Sequence, residues 1–226
     1  MCGRFTLTTP NELKKRFATA NALPKEVKPN YNVAPTQHMP VIICKDGKNH
    51  IQVMHWGLIP VWAADKPRFA FSTFNARAES LLEKPMWKKL FATKRCLVPA
   101  TGFYEWKKQA DGKQPFYIGV KDREIFAMAG LYDEWAHKDT GEIFASFTII
   151  TTTPNVSMKA IHDRMPVILD LKEENIWLDE TEAPESLQLM LDPYTDKKIE
   201  MHMVTRDVGS VKNNNPELIY PIVNEE

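Results

Sequence analysis

A chain of 226 residues is long enough to bury a sizeable core and fits one large domain or two small ones. Its side chains are 43% hydrophobic and 26% charged, with 29 basic and 29 acidic groups and so no formal net charge. Any contact with nucleic acid must therefore rest on a local basic patch rather than on global attraction.

No apolar run reaches the roughly 18 residues of a membrane span, and MCGRFTLTTPNELKKRF turns polar too soon for an export leader. A cytoplasmic protein with no membrane partner is expected. Cys2, Cys44 and Cys96 are an odd set without CxxC or HxxxH spacing. That argues against a disulfide framework and a structural zinc site, so neither metal nor cofactor is expected. Cys44 in VIIC and Cys96 in CLVP read as small buried hydrophobes.

In chain order, TPNE at 9–12 reads as a capped helix start, with Thr9 as N-cap, Pro10 next and Glu12 closing a capping box. The helix runs on through LKKRFATAN and ends before Pro24. Prolines 24, 29, 35 and 40 then keep the chain irregular. Strand signals follow in pairs. VIIC and IQVMHW flank KDGKN, GFYEW and FYIGV flank KKQADGKQP, and IFAMAGLY and IFASFTIITT flank WAHKDTGE. The Asp-Gly pairs at 46–47 and 111–112 predict tight hairpins. Helices are predicted at 76–82, 85–92, 154–161, 171–178 and 185–191. The pattern predicts an α+β protein, a mainly antiparallel sheet or barrel-like core with surrounding helices. No composition break divides it, so 1–226 is read as a single domain.

Four stretches offer chemistry. If Met1 is removed, Cys2 carries a thiol and an α-amine on neighbouring carbons. The amine, with an ordinary pKa of roughly 7.7–8.0, is partly neutral near pH 7. An aldehyde meeting this pair forms an imine, and the thiol then closes a five-membered thiazolidine; an incidental cysteine at position 2 is the alternative. In STFNARAES, Asn75 reads either as a helix N-cap or as an amide held beside Arg77 for a polar or anionic group. In PATGFYEW, alternation puts Phe103 and Glu105 on one face and Tyr104 and Trp106 on the other. Glu105 is thus either an aromatic-flanked carboxyl of raised pKa, suited to proton transfer, or an edge residue facing water. In AIHDRMP, His162 and Arg164 occupy a short loop between a helix and an apolar strand, where titrating site residues concentrate.

MCGRF, NARAE, GFYEW and HDRMP, in that order, resemble the SRAP (SOS-response-associated peptidase) family, and YNVAPTQ at 31–37 and WGLIPVW at 56–62 extend the likeness. The resemblance implies the SRAP fold and an abasic-site processing protein of the SOS response that acts on single-stranded DNA. It implies a lyase-like activity, a covalent crosslink from Cys2 that shields the lesion from strand cleavage. It makes Cys2 the nucleophile, with Asn75, Glu105 and His162 as the other catalytic residues, and Arg4, Arg77 and Arg164 as ligands of DNA phosphates. Trp62 or Trp106 are candidates to stack on bases. A monomer is expected, nucleoid-associated when bound. The rival readings are a cysteine peptidase acting in N-terminal autoprocessing, with Cys2 as nucleophile and His162 as base, and a non-covalent DNA reader using the arginines alone.

Overall fold

The computed structural model describes residues 2–63, 73–137 and 140–222. Its strands, in chain order, are β1 (Phe5–Leu7), β2 (Asn30–Val33), β3 (His38–Lys45), β4 (Lys48–Trp56), β5 (Asn75–Arg77), β6 (Arg95–Ala100) and β7 (Gly102–Gln109). They continue with β8 (Gly112–Val120), β9 (Phe126–Ala136), β10 (Ile143–Thr152), β11 (Met165–Pro166), β12 (Ile168–Leu169) and β13 (Ile199–Met203). The helices are α1 (Leu13–Arg16), α2 (Pro85–Thr93), α3 (Val156–Lys159), α4 (Leu171–Leu178) and α5 (Pro184–Gln188).

The three hairpins form where the turn dipeptides place them. Asp46 and Gly47 both take positive φ (52° and 70°), the twist that a two-residue β3–β4 turn requires. In the β7–β8 hairpin Gln109 pairs with Gly112, so the loop is Ala110–Asp111, one residue ahead of the predicted Asp-Gly centre. β9 and β10 pair antiparallel from Ile143↔Ala136 to Ile149↔Gly130.

β10, β4, β3, β6 and β9 pair in sequence, and β9 closes back on β10, giving a five-stranded barrel without free edges. β5 and β11 pair with the far end of β10, and β12 with β9. A second, antiparallel sheet runs β13-β8-β7-β1-β2. Phe5 of that sheet packs edge-on against Trp56 of the barrel at 5.0 Å, and Trp56 stacks on Phe147. All three are fully buried, so one apolar core fastens the two sheets together.

Three of the helices, α1, α3 and α5, are shorter than the sequence predicts. α4 matches its prediction, with Glu173 accepting the Asp170 N–H at 2.8 Å, and α2 runs one residue longer than expected. The first helix, however, is a 3-10 turn at Pro10–Glu12 followed by a single turn of α-helix, and Thr9 makes no side-chain cap. Ala18 takes a left-handed φ of 48°, which stops it. The helix predicted at 76–82 is replaced by β5 and a 3-10 turn at Ala78–Ser80, because Asn75–Arg77 pair in parallel with Ile149–Thr151. Strand partners there override helix propensity. Cys96 is buried as expected, whereas Cys44 is only half-buried, near the exposed end of β3.

Gly102 is where β7 passes against a neighbouring ring. A Cβ there would lie 2.2 Å from Tyr117, whose hydroxyl is pinned to the Thr101 carbonyl at 3.0 Å. Gly102→Ala is expected to destabilise the protein by about 1–3 kcal/mol, read as a lower urea midpoint with an unchanged slope.

Candidate active site

The register of the small sheet brings the N-terminus to Glu105. β1 lies against β7 with Phe5 opposite Phe103, and the Tyr104 N–H donates to the Arg4 carbonyl at 2.9 Å, carrying the pairing on toward residues 2–3 and 105. The barrel supplies the other half. β10 carries β5 on one side, with Asn75 opposite Ile149, and β11 on the other, with Met165 opposite Thr152. The chain segments bearing Asn75 and His162 therefore reach one end of one strand from opposite flanks.

Two contacts then cross between the sheets. Asn75 donates from Nδ2 to the Cys2 carbonyl at 2.8 Å, and His162 Nε2 lies 3.9 Å from Glu105 Oε2. Asn75 Oδ1 is buried and makes no hydrogen bond among the described residues. A buried amide oxygen in that state is costly unless something accepts its company. Asn75 is thus a strand residue whose amide holds the Cys2 backbone, not a helix cap.

The titrating groups are shifted by burial. Cys2 is fully buried, and its thiol is pushed up to about 12 by desolvation and then by the nearby Glu105 carboxylate. Glu105 is 3% exposed, which excludes the water-facing alternative, and loss of solvent pushes its carboxyl up to about 7. Both faces of β7 are buried there, since Phe103 and Tyr104 are each fully enclosed. Burial lowers the pKa of His162. The Arg164 backbone N–H donates to His162 Nδ1 at 3.0 Å, so in the neutral ring the proton sits on Nε2, facing Glu105. Asp163 Oδ1 also stands 2.9 Å from Nδ1, poised to accept should the ring become charged.

The three arginines differ in disposition. Arg77 is exposed at the end of β5. Arg4 is half-buried. Its Nη1 donates to Asn32 Oδ1 at 2.7 Å and to the Val208 carbonyl at 2.8 Å, and its guanidinium lies 5.7 Å from the Trp106 ring centre. Arg164 is buried and grips Glu79 with both nitrogens at 2.6 and 2.9 Å while also donating to the Thr151 carbonyl at 2.6 Å. That clamp ties the turn after β5 to the loop carrying His162. Arg164 lowers the pKa of Glu79, so the pair stabilises the fold above the ordinary glutamate pKa and is lost as pH falls through the lowered one. Glu79→Gln is expected to cost about 1 kcal/mol at pH 7 and progressively less as the pH falls below the ordinary glutamate range, checked by thermal melts across that range.

A cavity of about 400 Å³ opens on the site, lined by Arg4, Glu105, Trp106, Lys108, Lys113, His162 and Gly209. Sequence reasoning missed Lys108, Lys113 and the Gly209 wall. Gly209 arrives from the far end of the chain, drawn in by Asn32, whose Nδ2 reaches the Val208, Ser210 and Asn213 carbonyls at 3.2, 2.9 and 2.8 Å. A larger groove of about 960 Å³ runs past Cys44, Asp46 and Asp179 and contains none of the site residues. Trp106 stands at the cavity, and Trp62 is 63% exposed just before the undescribed residues. No group of three or more His, Cys, Asp or Glu among the described residues is arranged to hold a metal ion. No helix of the described residues is long and apolar enough to cross a membrane.

A barrel and a flanking sheet bring a cysteine near the chain start, an amide, a buried carboxyl and an imidazole together at one place. The family model for SOS response associated peptidase (SRAP) matches residues 1–211, and the chain belongs to that family. Among its relatives, the abasic site processing protein YoqW of Bacillus subtilis is 44% identical over 223 residues, 97% of this chain and 99% of that one. The abasic site processing protein HMCES of Xenopus tropicalis is 36% identical, over 86% of this chain and 67% of its own length. The same fold is seen in a crystal structure of a protein from Bacteroides thetaiotaomicron, with a TM-score of 0.91 and 32% identity, covering 98% of this chain and 100% of that one.

Proposed function

We propose that this protein processes abasic sites in single-stranded DNA by forming a covalent crosslink through Cys2 once Met1 has been removed. The observation that carries the reading is the joint grip on the start of the chain. Asn75 holds the Cys2 carbonyl at 2.8 Å, and a buried carboxyl with a pKa of about 7 lies beside the thiol. Support also comes from the names of the relatives, which are abasic site processing proteins.

An abasic deoxyribose in its open form presents an aldehyde. The Cys2 amine adds to that carbon to give a carbinolamine. Glu105, about half protonated near neutral pH, donates a proton to the departing hydroxyl; water leaves and the protonated imine forms, its nitrogen still carrying the N–H. The thiol, neutral because its pKa is about 12, cannot attack until its proton is taken, and the Glu105 carboxylate just formed takes it. Sulfur then bonds to the carbon of the protonated imine and the C=N electron pair moves to nitrogen, closing the thiazolidine with Glu105 left protonated as it began. Asn75 Oδ1, buried and without a partner among the described residues, accepts a hydrogen bond from the amine or a sugar hydroxyl. His162 relays protons between Glu105 and solvent through Nε2. Arg77 and Arg4 contribute phosphate contacts. Arg164 acts by fixing the His162 loop through Glu79. Holding amine and thiol against one carbon supplies the proximity effect, at best roughly 7–11 kcal/mol.

The meeting of residues from Cys2 to Gly209 at this one site supports the reading of a single domain, and the proposed protein acts as a monomer on the DNA. The test is to mix processed protein with single-stranded DNA containing an abasic site and to look for a DNA-bound species that survives SDS and heat. Release of an N-terminal peptide without such a species would favour a peptidase instead. Binding that salt reverses completely would leave a non-covalent reader.

A further inference from the structure

We propose that Lys108 and Lys113, on the β7–β8 hairpin, form a phosphate seat that grips the DNA strand next to the lesion; this rests on the crosslinking function proposed above. In the hairpin register Lys108 lies directly opposite Lys113. Directly opposed like charges on one face of an antiparallel pair destabilise it, so a hairpin under selection for stability alone has no use for this arrangement. None of the ion pairs among the described residues involves either lysine. The hairpin's one tip carboxylate, Asp111, is engaged by Arg206.

Alternation along β7 places Lys108 on the same face as Tyr104 and Trp106, and the register adds Pro115 and Lys113 from β8. That face opens on the cavity, where the same two lysines stand with Arg4, Trp106 and Gly209 beside Glu105 and His162. Three basic side chains thus converge on a cavity whose one lining carboxylate, Glu105, is half neutralised near pH 7, in a protein whose formal net charge is zero. The partner this surface fits is a flexible polyanion with an apolar flat group to set against Trp106, which describes a single nucleic-acid strand.

The like-charge pair makes the proposal separable from a structural role, because relieving it should strengthen the fold while weakening binding. For Lys108→Ala/Lys113→Ala, affinity for an undamaged single-stranded 20-mer should fall by roughly fivefold per lysine at about 0.1 M salt, and the log K against log salt slope should become shallower by about 1.4. The melting temperature should stay level or rise. Lys113→Glu should raise it further by creating a cross-strand ion pair with Lys108, and should weaken binding at least as much. The charge-keeping Lys108→Arg/Lys113→Arg protein should retain the wild-type slope, and it decides the matter if the alanine protein is poorly folded. With abasic DNA, the concentration needed for half-maximal covalent capture should rise in step with the lost affinity. Unchanged affinity and slope in the alanine protein, or a lost slope in the arginine protein, would overturn the phosphate seat. Absence of any covalent species in the wild type would instead sink the crosslinking reading, while the salt titrations on undamaged DNA still judge the lysines.

Discussion

Cys2→Ala is expected to leave no DNA-bound species that survives SDS and heat, under conditions where the wild type converts abasic single strands fully. The loss should be complete, because the substitution removes the group that makes the bond stable rather than one that speeds its formation. Two further variants separate the nucleophiles. Cys2→Ser keeps the terminal amine, so an imine still forms, and trapping by borohydride should recover it although the untrapped species falls apart on heating. A protein whose terminus is blocked, by acetylation or by retained Met1, keeps the thiol and should fail even with borohydride. Normal crosslinking by the blocked protein would rule out the amine and leave a simple thiol adduct. Non-covalent affinity for undamaged DNA should be nearly the same in all of them, since Cys2 is fully enclosed and offers no charge to phosphate.

The order of these steps follows from burial. A thiol at about 12 is a poor first nucleophile at pH 7, whereas a terminal amine near its ordinary range of roughly 7.7–8.0 is partly neutral. The thiol becomes useful only when a base stands beside it at the moment the imine exists. In the proposed mechanism Glu105 is that base.

The hairpins were legible because their signals are local. Asp46-Gly47 and the Gly112 bend are written in two residues, and alternation on β7 and β8 fixes which side chains face together. The barrel's closure and the parallel pairing of β5 with β10 are not local: residues 75–77 meet 149–151 across more than seventy positions, and nothing within ARAESLL announces it. The misread helix there follows directly, since Ala, Arg, Glu and Leu are good helix formers until a strand edge claims their backbone. Cys2, Asn75, Glu105 and His162 could be nominated from their motifs, and the structure brings all four together. What the motifs hid was Arg164's commitment to Glu79, although the two partners sit in separately quoted stretches with opposite charges. The Gly209 wall was hidden for a different reason. It depends on Asn32 recruiting three carbonyls some 180 residues downstream, and a single asparagine in a proline-rich stretch carries no trace of that.

Glu105→Gln should uncouple two pH dependences that the wild type combines. Consider stability first. The folded carboxyl is raised to about 7 from an unfolded value of 4.5, because burial penalises the charged form. Below about pH 4.5 it is neutral in both states and nothing is lost. As pH climbs through 7 the unfolded chain has released the proton and the folded one must follow, so stability falls, by about 3 kcal/mol at most once the shift is complete. Wild-type protein should accordingly melt lower at pH 8 than at pH 5, and the glutamine protein should lack that part of the decline. Catalysis runs the other way: the isosteric amide can neither protonate the departing hydroxyl nor receive the thiol proton, so covalent capture should slow by roughly 10²–10⁴-fold. The wild-type rate should climb as the amine becomes neutral and then fall as Glu105 loses its proton, while the residual rate of the variant should show no such alkaline fall. A variant that melts higher at pH 8 yet crosslinks at the wild-type rate would show that Glu105 is buried in the site without carrying its protons, and the role would pass to His162. A variant both more stable and slower shows the opposite, that the fold tolerates a destabilising carboxyl because the chemistry at Cys2 needs a group that titrates near neutrality.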